Sequence, residues 1–273
     1  MLSSLFPSLS GVPGLLSKAS TEPDLPPNET ILNGLVGWWE FAEDSNQLDR
    51  QSEVLPNIVL FRIDNPNSKT DSILGDFSVG QFTPDKALYH DQSGGFIDVL
   101  EFPGDIFYIA IWVKDFDAAF GYIAGIYNTG SDRRVWAMRK YSGGRVSLDV
   151  SSDGTSGGIS QVFTENLPLE SPVWTLIEGY FNQGQLGIAV NGAATFTKNT
   201  ASSPSLYRGA NADGNNTAFM LGASDRGGLR VNSPSNIFVD QLVLMNRVPT
   251  TAERGLIWNN GNGQTLAQIS GIV

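Results

Sequence analysis

Apolar residues in this chain come in short runs, and the most continuous run lies near the C-terminus. Asn236-Ile237-Phe238-Val239-Asp240-Gln241-Leu242-Val243-Leu244-Met245-Asn246-Arg247 is rich in Val, Ile, Leu and Phe, the pattern of a strand buried on both faces or nearly so. Pro249 ends it. Thr250 or Thr251 can then N-cap a short helix, with Glu253 in its first turn and Leu256, Ile257 and Trp258 turned inward. Asn259-Asn260-Gly261-Asn262-Gly263 stops that helix, because Asn and Gly tolerate the left-handed geometry of a C-terminal cap. A core strand, one short helix and a stop, in a chain with almost no other helical periodicity, predict an all-β sandwich whose last core strand carries a helical lid.

The rest of the chain reads as strands separated by turn chemistry. Leu35-Val36-Gly37-Trp38-Trp39-Glu40-Phe41 is the first, and strand-like runs follow at 58–63, 76–82 and 95–102. Phe107-Tyr108-Ile109-Ala110-Ile111-Trp112-Val113-Lys114 is apolar and aromatic enough for a central strand. Segments 120–127, 133–141 and 145–150 form a meander, joined by Asn128-Thr129-Gly130-Ser131-Asp132 and Ser142-Gly143-Gly144. Strict alternation in Val146-Ser147-Leu148-Asp149-Val150 predicts one packed and one wet face. Further strands are expected at 159–163, 173–181, 185–190, 193–198 and 218–222, with Asn191-Gly192 as a tight turn that needs positive φ at both residues. Short strands at steady spacing, without βαβ alternation, indicate a two-sheet antiparallel jelly-roll sandwich.

Residues 1–33 read as an N-terminal arm with a Pro-rich linker, and 34–273 as the sandwich. Leu2, Leu5, Phe6, Leu9, Val12, Leu15 and Leu16 are apolar but punctuated by Pro and Gly. The plainer reading is a disordered terminus, the sharper one a tether that orders on a neighbouring subunit. Seven apolar side chains in sixteen residues are costly to leave in water, which favours the tether. As a secretion signal the segment lacks the charged start: its first cation, Lys18, follows the apolar part, which Pro7, Gly11, Pro13 and Gly14 interrupt.

Composition narrows the chemistry. The absence of cysteine removes thiol catalysis and Cys-based zinc sites, and a single histidine, His90, disfavours His-dependent triads and metal clusters. His90 itself reads as an ordinary loop residue. With 17 Lys+Arg against 28 Asp+Glu the net charge is -11, which repels phosphate backbones, so no nucleic-acid partner is expected. No apolar stretch reaches the ~18 residues of a membrane span.

Five motifs, in order, resemble the laminin-G/concanavalin-A-like jelly-roll superfamily. They are Leu35-Val36-Gly37-Trp38-Trp39-Glu40-Phe41, the central strand with Phe107, Ile109, Trp112, Val113 and Lys114, the strand-opening Trp174, and Ala189-Val190-Asn191-Gly192. The last is the ending with Val239-Asp240-Gln241, Arg247, Thr250, Glu253 and Trp258-Asn259-Asn260-Gly261-Asn262-Gly263. The likeness covers about residues 34 to 265; it departs at Gln241, where an acidic residue is usual, at Pro249, where Leu is common, and in a longer turn after the first strand. The superfamily includes lectins, adhesion modules, glycoside hydrolases and viral particle proteins, so fold does not assign function.

The resemblance implies candidate chemistry that the residues must support. A glycosidase needs two carboxylates on one face, roughly 5–5.5 Å or 6.5–9.5 Å apart. The hydrolase branch of the superfamily carries Glu-x-Asp-x-x-Glu on one strand, and this chain offers only Asp98 and Glu101, whose spacing puts them on opposite faces. No catalytic residue is therefore expected. Calcium is the superfamily's commonest ion, and Asp240 is its candidate ligand by resemblance; the alternative is a buried carboxylate taking hydrogen bonds from backbone or Arg. The loop Asn211-Ala212-Asp213-Gly214-Asn215-Asn216 is oxygen-rich but equally a solvated turn. Of the six tryptophans, Trp136 is the one expected to be exposed and able to stack on a glycan. It neighbours Arg133, Arg134, Arg139, Lys140 and Arg145, a basic cluster that is either a solvated hairpin face or a dock for an acidic partner, with Arg133 and Arg134 as candidate contacts.

These expectations combine into a non-enzymatic structural or adhesion protein on the surface of a virus particle, such as a phage capsid decoration, head fibre or tail-associated protein. It would dock other virion proteins through the arm, form an oligomer in the assembly and display a glycan-binding sandwich. The alternative is a secreted, calcium-dependent lectin-like module.

Overall fold

A computed structural model gives the architecture. It describes residues 30–39, 105–114, 120–130, 132–165, 167, 173–208, 219–222 and 237–270, together with the strand segments 49–51, 59–63, 73–75, 87–90, 94–97, 224–226 and 229–232. The arm residues Leu2, Leu5, Phe6, Leu9, Val12, Leu15 and Leu16, the strand expected at 76–82, the pair Asp98 and Glu101 and the loop 211–216 lie outside the described residues.

In chain order the strands are β1 (Leu35–Trp39), β2 (Asp49–Gln51), β3 (Val59–Ile63), β4 (Ile73–Gly75), β5 (Ala87–His90), β6 (Gly94–Ile97), β7 (Ile106–Lys114), β8 (Gly121–Asn128) and β9 (Arg133–Tyr141). They continue with β10 (Arg145–Ser151), β11 (Ile159–Phe163), β12 (Thr175–Asn182), β13 (Gln185–Val190), β14 (Thr197–Thr200), β15 (Phe219–Leu221), β16 (Ser224–Arg226), β17 (Leu229–Asn232) and β18 (Ile237–Met245). Helix α1 (Thr251–Trp258) follows, then a 3₁₀ turn and a second helix, α2 (Leu266–Ser270), which the sequence pattern did not predict.

The strands form two sheets, as the pattern required. The eight-stranded sheet runs β14-β13-β12-β7-β18-β5-β4, with β1 also paired to β18; the ten-stranded sheet runs β11-β10-β9-β8-β15-β6-β3-β2, with β16 and β17 attached beside β8. This is an all-β jelly-roll sandwich with a short C-terminal helical lid. The two strongest apolar segments, β7 and β18, are neighbours at its centre. Short strands β2, β4, β5, β16 and β17 were not read from the sequence. His90 ends β5 opposite Ile237 and so is a strand residue, not the loop residue expected; pairing to β18 decides this, not local propensity.

β7 explains why its sequence is apolar throughout. Phe107, Ile109, Ile111 and Val113 enter the core between the sheets, with Ile177, Leu186, Ile188, Leu242 and Leu244 from the same sheet and Ile123, Ile126, Met138, Leu148 and Val150 from the other. Tyr108, Ala110 and Trp112 point the opposite way, into a second core with Ile31, Trp38, Leu176, Val243, Met245, Ile257 and Ile269. That second core lies beneath the lid. Both faces of the eight-stranded sheet are therefore covered at its middle.

The lid is built as the sequence predicts. Thr250 and Glu253 form a capping box, and the chain leaves α1 through left-handed Asn259 (φ 43°) and Asn260 (φ 54°). Trp258 stacks on Trp112 with centroids 5.3 Å apart. The Asn191-Gly192 turn has positive φ at both residues, and a Cβ on Gly192 would stand 2.3 Å from the Trp258 ring. The strand expected at 193–198 starts only at Thr197, because Ala193 still closes this turn onto Val190 and its carbonyl accepts from Arg254.

Arginine–carboxylate pairs fasten the lid. Arg254 donates from Nε and Nη2 to the two oxygens of Glu178 at 2.7 and 2.8 Å, and Tyr108 Oη donates to Glu178 Oε1 at 2.8 Å. Burial, and then the neighbouring Glu178 charge, push the Tyr108 hydroxyl well above the ordinary tyrosine value. Arg247 grips Glu253 at 2.6 and 2.8 Å and also donates to the Thr30 carbonyl, while the Thr30 hydroxyl donates to Glu253. Ile31 is fully buried in the lid core, so Thr30 and Ile31 pack with the lid. Among the described residues no helix is long and apolar enough to cross a membrane.

Candidate functional site

The lid covers one outer face of the sandwich. The other outer face belongs to β8, β9, β10 and β11, and it gathers most of the basic cluster noted in the sequence. Two irregularities in the β8–β9 pairing decide this. Tyr122 pairs with Arg139 but Ala124 with Met138, so β8 carries an extra residue, Ile123; Ile126 pairs with Trp136 but Tyr127 with Arg134, so β9 carries an extra residue, Val135. Each bulge inverts the alternation once. Tyr122 and Tyr127, which strict alternation would put on opposite faces, both point outward, and so do Arg134 and Arg139.

Arg139 is the hub of this face. Its guanidinium carbon lies 5.3 Å from the Tyr141 ring centroid, 5.5 Å from Tyr127, 5.6 Å from Phe120 and 5.9 Å from Tyr122. These are distances at which a cation is held by ring quadrupoles. Its Nη2 pairs with Asp149 Oδ2; the arginine side chain is 12% exposed and the aspartate 0%. Burial raises the Tyr127 hydroxyl above its ordinary value, with Arg139 pulling the other way.

The expected wet face of β10 is thus corrected. Ser147 and Asp149 do alternate outward, opposite the core residues Val146, Leu148 and Val150, yet both are fully buried. Arginine and aromatic side chains from β8 and β9 cover them, which alternation within β10 cannot reveal. Ser147 Oγ, Asp149 Oδ1 and Arg139 Nε are buried without a hydrogen-bond partner among the described residues. Groups left in this way are uncommon in folded proteins and mark places where water or a ligand completes the bonding.

The rim of the face is more open. Phe120 (40% exposed) meets Tyr141 edge-on at 5.3 Å, and Tyr141 meets Phe163 edge-on at 5.4 Å, so three rings stand in one row. Arg145 is exposed, with its guanidinium carbon 5.1 Å from the Phe163 centroid. Gln161 Nε2 donates to the Tyr141 hydroxyl at 3.3 Å. Ring faces of this kind stack on the apolar faces of sugars, and guanidinium and amide groups donate to ligand oxygens.

The residues singled out in the sequence fare differently. Trp136 is not a surface platform: it is 0% exposed, turned inward from β9 and packed on Phe107 at 4.9 Å and Phe219 at 6.0 Å. Arg134 does reach the outer face, near Tyr127 at 5.8 Å, tied down by Asp132 at 2.5 Å and the Gly154 carbonyl at 3.2 Å. Arg133 opens β9 half-buried, opposite Asn128, away from the aromatic row. Asp240 is fully buried where the β18–β7 register slips, and among the described residues no three acidic or histidine side chains gather as metal ligands. Phe120, Tyr141 and Phe163 were missed; their signal was an aromatic residue at the start of the 120–127 segment and at the ends of the 133–141 and 159–163 segments.

No protein-family model matches the chain, and no curated protein matches it. Several solved structures share its architecture. One is domain 4 of AbnA, a GH43 extracellular arabinanase from Geobacillus stearothermophilus, in complex with arabinotriose: 15% identity, 84% of this chain and 98% of that one, TM-score 0.56. Another is the Trypanosoma rangeli sialidase in complex with sialic acid, at 14% identity over 85% of this chain but 34% of the sialidase, TM-score 0.55. A third is the binding domain of botulinum neurotoxin DC in complex with SialylT, at 8% identity over 84% of this chain and 52% of that one, TM-score 0.52. The chain thus spans about a third of the sialidase and half of the toxin domain. At these identities the likeness is one of fold: a β-sandwich.

Proposed function

We propose that this chain is a non-catalytic β-sandwich module that binds glycans on the outer face of its ten-stranded sheet. The observation that carries this reading is the partly exposed row Phe120–Tyr141–Phe163 with the exposed Arg145 guanidinium over Phe163 and the Gln161 amide beside Tyr141. Stacking rings flanked by a guanidinium and an amide suit a molecule with apolar faces and many oxygens. The fold neighbours support it, since those three structures contain arabinotriose, sialic acid and SialylT. Binding is favoured over hydrolysis because Asp149 and Asp132 on this face are each held by an arginine, whereas glycosidases set two carboxylates against the scissile bond. A glycan array followed by calorimetry tests the reading. Tyr141→Ala should weaken binding at least tenfold, and a variant that binds like the parent would sink the assignment of this face. Polysaccharide turnover abolished by Asp149→Asn would replace it with an enzyme.

A virion-surface setting has one feature in its favour. Thr30, from which the apolar arm extends, is pinned beside α1, on the face opposite the aromatic row. A chain anchored to a particle by its arm, alone or as an oligomer, would then point the row outward. Absence of the protein from purified particles, or its recovery as a free extracellular protein, would remove this setting and leave glycan binding untouched.

A further inference from the structure

Resting on the glycan reading, we infer the charge class of the ligand: an anionic saccharide, carrying carboxylate or sulfate groups. The chain as a whole is acidic, with net charge -11, and a generic patch of its surface should repel such a molecule. This face gathers three arginines, two of them paired, Arg134 with Asp132 and Arg139 with Asp149, which leaves Arg145. The two β8–β9 bulges bring Arg134 and Arg139 to one side, and Arg145 joins them from the neighbouring strand.

The accessible polar groups of the row are mainly donors. Asp149, the acceptor beneath the aromatic face, is 0% exposed and capped by the Arg139 guanidinium. Gln161 gives one of its two amide N–H groups to Tyr141 Oη, so the tyrosine hydroxyl proton stays available to donate and Gln161 Oε1 is an acceptor beside the row. Arg145 is exposed and leans over Phe163; no ion pair holds it among the described residues, although the exposed Glu165 follows Thr164 on the segment bonded alongside Gly144–Val146. A guanidinium held against a ring still presents its fork of donors to a planar or tetrahedral anion. A neutral sugar over the row would find stacking but few acceptors for its hydroxyl protons. An acidic sugar would find stacking on Tyr141 or Phe163 and a charge-assisted pair at Arg145, with Asp149 and Asp132 each neutralised by its own arginine.

The full chain is titrated with three probes, a galacturonic acid hexamer, a heparin hexasaccharide and neutral cellohexaose, at low and at physiological ionic strength. The inference expects one of the acidic probes to bind at least tenfold tighter than cellohexaose, with weaker binding at higher salt. Which acidic probe wins distinguishes carboxylate from sulfate. Arg145→Gln should abolish that preference with the melting temperature unchanged, and Arg145→Lys should retain part of it. Equal binding of all three probes, or an Arg145→Gln variant that keeps the acidic preference, overturns the charge class while glycan binding stands. No binding of any probe, on an array or in solution, overturns both.

Discussion

Each sheet of this sandwich buries an arginine–carboxylate pair on its outer face, and the two pairs are finished differently. Under the lid, Glu178 receives two bonds from Arg254 and one from Tyr108; Arg254 also donates to the Ala193 carbonyl, and the Phe196 ring lies 3.9 Å from its guanidinium carbon. On the opposite face Arg139 meets Asp149 through one nitrogen, and Asp149 Oδ1, Arg139 Nε and Ser147 Oγ are left over. A buried ion pair repays its desolvation only when its remaining hydrogen bonds are made. The first arrangement is that of a structural lock, the second that of a buried pair whose remaining polar atoms are left unbonded beneath the aromatic face.

The contrast can be tested by breaking each side in turn. Glu178→Ala strands Arg254 and the Tyr108 hydroxyl in the lid core, and should cost about 3–5 kcal/mol in urea unfolding. Asp149→Ala should cost clearly less, because Arg139 keeps its rings and 12% of its side-chain surface in water; equal costs would erase the distinction. Gly192→Ala comes next. It places a Cβ against Trp258 at a residue with φ of 64°, so thermal unfolding should show a loss of about 1–3 kcal/mol, with glycan affinity unchanged.

Acid should loosen the lid side. Burial alone would raise the Glu253 carboxyl, but Arg247, the Thr250 N–H and the Thr30 hydroxyl outweigh it and bring it down to about 2 from 4.5. A carboxyl depressed in the folded state contributes stability above its unfolded value, and that contribution is lost as pH falls from about 4.5 through about 2. Tryptophan fluorescence across this range should report a weakening that Glu253→Gln largely removes. The smallest effect on stability belongs to the open face. Phe120→Ala removes a ring that is 40% exposed and should cost about 1 kcal/mol or less, yet weaken glycan binding severalfold. A large loss of stability there would make Phe120 part of the core instead.

Much of the lid side was legible in the sequence because its signals are local. Thr250 and Glu253 are three residues apart and cap the same turn, and Asn259 through Gly263 supply the left-handed residues that end it. The apolar continuity of β7 and β18 reports that both their faces are covered, whatever covers them. The identity of the cover was not legible. Ile31 and Ile269 reach that core from either end of the packed segments, and Arg254 meets Glu178 across 76 positions.

The candidate face was legible only as a list of residues. The basic cluster from Arg133 to Arg145 and the aromatic residues Phe120, Tyr141 and Phe163 at strand ends are plain in the chain, but their sidedness is not. Strict alternation would separate Tyr122 from Tyr127 and Arg134 from Arg139, and would leave Ser147 and Asp149 in water. Single extra residues at Ile123 and Val135 put those pairs on one face and send Trp136 into the core. A bulge exists only in the register between two strands, so no single strand's pattern contains it. The sequence by itself therefore determined the sandwich, its central strands and its lid, through periodicity and capping chemistry. Which side chains share a face, and which are left with bonding to spare, was settled by how the strands pair.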